Sequence, residues 1–94
     1  MIEIQLRRYN GHFNPKVVAA LERKIKAIAR IEPVYLDFEG VRGLDRGAVE
    51  ALVAMAAEIG ESRIRLIGIS REIWEELHDL WLGLGAIAVP PPWI

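Results

Sequence analysis

The chain has 94 residues, a formal net charge of −1 and no cysteine. That length holds one small domain and not two, and the absent thiols exclude disulfides and thiolate metal sites. The near-neutral charge argues against a dedicated nucleic-acid binder, which would carry a basic excess.

Apolar residues make up 52% of the chain, enough for a core, though a thin one at this size. No apolar run approaches the roughly eighteen residues of a membrane span. The opening "MIEIQLRRYN" lacks the apolar stretch of a signal peptide. The expectation is a soluble, cytoplasmic protein with no direct membrane span.

In chain order, "IEIQLRRY" alternates, with Ile2, Ile4 and Leu6 on one side and Glu3, Gln5 and Arg7 on the other, and reads as a half-buried strand. "NGHFN" reads as a turn. Asn14 followed by Pro15 is an N-cap with proline at the first helical position. Val18, Leu21, Ile25 and Ile28 then recur at helical spacing, predicting a helix to about Arg30. "PVYLDF" is a second strand, with Val34, Leu36 and Phe38 on one face and Tyr35 and Asp37 on the other.

The second helix is predicted from about Arg46 to Ile59, with Gly60 as its C-cap. Val49, Leu52, Val53 and Ala56 form its core stripe. "SRIRLIGI" is a third strand. Ser70 caps a third helix from about Arg71 to Leu84, whose stripe is Ile73, Leu77, Leu80, Trp81 and Leu84. "AIAV" makes a short fourth strand, and "PPPWI" (90–94) ends the chain as a stiff tail in which Trp93 could fold back or enter a neighbouring copy.

The order β-α-β-α-β-α-β predicts an α/β fold with one four-stranded, mainly parallel sheet and right-handed crossovers. Parallel strands covered on both faces are almost continuously apolar, whereas these alternate. All three helices are therefore expected on one face. The other face would carry Glu3, Gln5, Arg7, Tyr35, Asp37, Arg63 and Arg65.

The stretch "DFEGVRGLDRGAVEALVA" (37–54) raises the functional question, with three glycines and two arginines before an alanine-rich helix and neither hydroxyl nor thiol. A phosphate loop needs Gly, four residues, then Gly-Lys-Ser/Thr, which is absent. Gly40 and Gly43 read as turn residues, Gly47 as a point of close approach, and Asp45 as the N-cap of the second helix. Ser62 and Ser70 have no glycine elbow around them, Asp37 and Glu39 form no acid–base pair, and His12 and His78 are far apart in sequence with no close Asp/Glu/Cys set joining them. Neither enzyme chemistry nor a metal or other cofactor is expected.

"VYLDFEGV", "LDRGAVEALVAMAAEIG", "RIRLIGIS" and "REIWEEL", taken together, resemble the STAS domain family. That family includes bacterial anti-sigma factor antagonists and STAS subunits of lipid-transporting ABC systems. Upstream, "NGHFNPKVVAALERKI" is similar to the family's first turn and helix, so the resemblance runs from about Ile2 to Val89. It implies helices gathered on one side of the sheet. It also implies a partner-binding surface at the start of the second helix and its preceding loop: Arg42, Asp45, Arg46, Gly47, Glu50 and Ala54. The family's motif is Asp-Ser-Ser-Gly, with the second serine phosphorylated by a partner kinase. Here Arg46 and Gly47 replace the two serines, so that switch cannot operate at position 47. The transporter subunits are nearer at this point, since some carry glycine there.

Three roles follow as expectations. One is a non-catalytic interaction module with a protein partner, either an anti-sigma, serine-kinase-like ATPase or an ABC transporter subunit. Another is a small anionic-ligand domain, for a nucleotide or a lipid headgroup. Its anion edge would add Arg8, His12 and Arg71 to the loop arginines; the same residues also read as a merely solvated rim. The third is a homodimer built through the open sheet face or the tail.

Overall fold

A computed structural model describes residues 2–9, 11–81 and 83–88. Strand β1 (Ile2–Gln5) runs into a 3-10 turn (Leu6–Tyr9), then β2 (His12–Phe13) and α1 (Pro15–Ala29). Next come β3 (Val34–Asp37), β4 (Gly43–Leu44) and α2 (Arg46–Ile59). A second 3-10 turn (Glu61–Arg63) leads into β5 (Ile64–Ile67), followed by α3 (Arg71–Leu80) and the single turn α4 (Leu84–Ile87).

The fold is α/β with parallel pairing, arranged as two sheets. The main sheet has the order β1-β3-β5, with Ile4 opposite Leu36 and Leu36 opposite Leu66. A second sheet of two residues per strand pairs His12 with Gly43 and Phe13 with Leu44. The predicted single four-stranded sheet is thus corrected. "NGHFN" contains a strand, too short for periodicity to reveal. "AIAV" begins as a helical turn, and its only ladder contact among the described residues is a parallel bridge from Ala88 to Leu66. A four-residue apolar run fits either period, so the pattern could not decide between them. Val89, Trp93 and the tail 90–94 lie outside the described residues.

Burial alternates along the main strands. Val34, Leu36, Ile64 and Leu66 are at most 1% exposed, while Tyr35, Asp37, Arg65 and Ile67 between them are half-buried. Parallel strands taken in sequence order put their helices on a single side when the crossovers have the usual right hand, and α2 packs against both α1 and α3. Among the described residues every buried side chain is apolar.

Three boundaries differ from the sequence reading. β1 stops at Gln5, because its partner β3 turns away after Asp37; residues 6–9 then form 3-10 bonds of their own. Helix α3 stops at Leu80, since Trp81 is extended (φ −141°, ψ 100°) and turns its indole into the core. That leaves Leu80 40% exposed and outside the stripe. Arg63 precedes β5 and is absent from the open face. Its Nε donates to Ala29 O at 2.7 Å, closing the C-terminus of α1.

The burial contrast sets an expectation for chemical denaturation. Leu36→Ala and Leu66→Ala should each cost about 2–5 kcal/mol, as for other buried leucines. Gln5→Ala on the opposite face should stay within about 0.5 kcal/mol. Equal losses on both faces would contradict a one-sided core.

Candidate functional site

In parallel strand–helix units the strand-to-helix loops share one edge of the sheet. Here that edge holds residues 6–9, 11–14, 38–45 and 68–70, and the starts of α1, α2 and α3. Beneath it Phe13 and Phe38 pack with ring centroids 5.3 Å apart, both nearly fully buried. Arg42 N–H donates to Gly11 O at 2.7 Å, and Asp45 N–H to Phe13 O at 2.8 Å. Val41 N–H donates to Phe38 O, and its side chain is buried. The loop before α2 is thus a fixed element tied to β2.

Glycines mark where neighbouring loops meet. A Cβ on Gly43 would lie 2.8 Å from His12 Nδ1, and one on Gly40 3.1 Å from Arg7 Cβ. Gly47 opposes the start of α1, since a Cβ there would come 3.2 Å from Pro15 Cγ. The tightest contact is at Gly68, which has φ +66°. Any side chain there would fall onto Asp37 Oδ1 and lie 3.1 Å from Glu39 N. Asp37 Oδ1 itself accepts from Glu39 N–H at 2.9 Å, shaping the turn that β3 enters.

The helix caps separate into two kinds. Asn14 accepts from Val17 N–H at 3.1 Å and Ser70 from Ile73 N–H at 3.2 Å. Asp45 occupies the N-cap position of α2 yet makes no side-chain cap bond. Its Oδ1 lies 2.9 Å from His12 Nε2, joining β2 to the start of α2. The sequence reading of Asp45 as a helix cap, and of His12 as plain turn surface, is corrected together. The pairing spans 33 residues, and a cap rule looks only at neighbours.

Of the proposed partner-binding residues, Arg46 and Glu50 are brought together, Nε to Oε1 at 3.0 Å, with both side chains mostly exposed. Gly47 and Ala54 are exposed on the same helix. Positions 46, 47, 50 and 54 fall within about 100° of one another around a helix, so they share one face. Arg42 is exposed, and its guanidinium lies about where a Gly11 side chain would be, within 3.6 Å of that Cβ position. A recess of about 370 Å³ opens beside this surface, lined by Asn14, Pro15, Lys16 and Asp45.

The proposed anion edge does not come together. Arg71 Nε lies 3.6 Å from Glu75 Oε1, and His12 is held by Asp45. Arg8 lines a separate recess along β1 with Glu3 and Lys24. Three of the rim's basic groups, at 12, 46 and 71, therefore face carboxylates of the chain itself. His78 is exposed and stacks near Trp74, ring centroids 6.3 Å apart. Among the described residues no group of three or more metal-ligating side chains converges, and no helix is long and apolar enough to cross a membrane.

Gly68 and Asp37 are the positions that residue chemistry passed over. The available signal was positional: Gly68 stands just after β5 and before the Ser70 cap, much as Gly40 stands after β3. No protein-family model, curated protein or solved structure matches the chain.

Two substitutions test this construction. Gly68→Ala should lower stability by about 1–3 kcal/mol, from its left-handed backbone and the collision with Asp37 and Glu39. Asn14→Ala should cost about 1 kcal/mol, and Asp45→Ala less, because Asp45 makes no side-chain cap bond and loses only a half-exposed contact with His12. Thermal unfolding of the three variants decides it; Asp45→Ala proving the worse of the two cap-position variants would contradict this.

Proposed function

We propose that the protein is a non-catalytic interaction module of the STAS type, similar to anti-sigma factor antagonists, that binds a protein partner without phosphorylation at the usual position. The observation that carries this reading is the exposed face of α2 formed by Arg46, Gly47, Glu50 and Ala54, beside a loop fixed by β2. A surface fixed before the encounter loses little conformational entropy on binding. The small residue at 54 lets a partner backbone come close, and the Arg46–Glu50 pair supplies oriented charge at its border.

Further support comes from the sequence order that suggested the family: an apolar strand ending near Asp37, a short loop, Asp45, then an apolar helix. Position 47 has no hydroxyl, so binding in this reading is constitutive and governed by the amount of partner. A transporter subunit would use the same surface on a different ATPase.

The test is a pull-down from host lysate with wild type and Arg46→Glu in parallel. Wild type should retain an ATPase, and the variant should lose at least tenfold in capture. The fold should hold, because an exposed i,i+4 pair contributes only about 0.3–0.5 kcal/mol. A serine-kinase-type ATPase would indicate the sigma pathway, and a transporter ATPase the transport role. Equal capture by both proteins would remove this surface from consideration.

A further inference from the structure

The two sides of the helical layer carry opposite charge. Helix α1 has Lys16, Arg23, Lys24 and Lys26 against one acid, Glu22. Helix α3 has four acids against Arg71 alone. Helix α2 packs between them. Positive charge is thus collected on α1, whose Lys24 lines a recess with β1, and negative charge on α3, which packs on α2 and β4.

Each side also has a recess. Along β1 the recess is about 280 Å³, lined by Glu3, Ile4, Gln5, Arg8, Tyr9 and Lys24, two cations to one acid. Neither Arg8 nor Lys24 has an ion-pair partner among the described residues. Ile2 on the same strand is 40% exposed. On α3 the recess is about 380 Å³, lined by Trp74, Glu75, His78 and Asp79. Asp79 has no ion-pair partner among the described residues, and Trp74 in the same recess is only partly buried. Glu75 and Asp79 stand four residues apart, and like charges so spaced destabilise a helix by about 0.2–0.5 kcal/mol. Within the described chain nothing offsets that repulsion except the long 3.6 Å contact from Arg71. β1 has a strand partner only on its β3 side among the described residues.

We propose that the protein associates with itself head to tail, the β1–α1 side of one copy receiving the acidic α3 of the next. Lys24 and Arg8 would oppose Glu75 and Asp79, with Trp74 set against Tyr9 and Ile2. The two surfaces differ, so the contact is heterologous and repeats along a ring or an open filament. It leaves the Arg46–Ala54 face of α2 free, and stands or falls independently of the partner-binding reading.

Sedimentation velocity across a concentration series is the test. At low ionic strength the mean mass should rise above the 10.6 kDa of one chain, and fall back at about 0.5 M salt as charge is screened. R8E/K24E makes the β1 recess acidic as well as the α3 one, and E75K/D79K makes the α3 recess basic as well as the β1 one. Each should be monomeric alone, with circular dichroism checking the fold. Mixed, they should co-sediment as larger species, which only folded and complementary surfaces can do. A single-chain mass at every concentration and salt would overturn the proposal. So would self-association that survives both reversals, or reversed variants that stay apart when mixed.

Discussion

Val34, Leu36, Ile64 and Leu66 occupy one side of two adjacent parallel strands, and the helices must meet that side because nothing else can keep it from water. These residues are at most 1% exposed. At about 25 cal/mol per Å² their burial is the main favourable contribution, and in so small a chain there is no second core to share it. The direction of every crossover follows from this. So does the gathering of the strand-to-helix loops on one edge, where the candidate surface lies.

The parts of the fold visible in the sequence were those with a repeating signal. Helix α2 is predicted from about Arg46 to Ile59 and runs from Arg46 to Ile59, because its stripe is bounded by Asp45 and Gly60. The alternation at Tyr35–Leu36 and Arg65–Leu66 carries the one-sided core. What was hidden had no period to show. The β2–β4 ladder is two residues long, and residues 84–87 satisfy either helix or strand. Ile2 follows its strand's alternation yet is exposed, because it stands on the outer strand β1, while its register partner Val34 on the central strand is fully buried.

The candidate site divides in the same way. Arg46, Gly47, Glu50 and Ala54 could be placed on one helix face from spacing alone. The coupling of His12 to Asp45 could not, since it depends on β2 and β4 lying side by side. Local preference gives Asp45 to its own helix, as Asn14 and Ser70 are given to theirs. Tertiary geometry assigns it instead to a histidine 33 residues away. The same geometry sets His12, Arg46 and Arg71 each beside a carboxylate and Arg8 in a recess along β1, placements that spacing alone does not show.

The two-residue ladder has one more effect. Phe13 pairs with Leu44, and the next residue on each side, Asn14 and Asp45, opens a helix. The two helices therefore begin level with each other and point the same way. Each carries roughly half a positive charge at its start and half a negative charge at its end, and aligned helices add. A chain whose formal charge is only −1 thus has a permanent axis of polarity along its strands. A diffusing partner would feel little net attraction at long range but a strong preference for which end it met. The clasp of β2 and β4 then bears on orientation in the encounter as well as on stability.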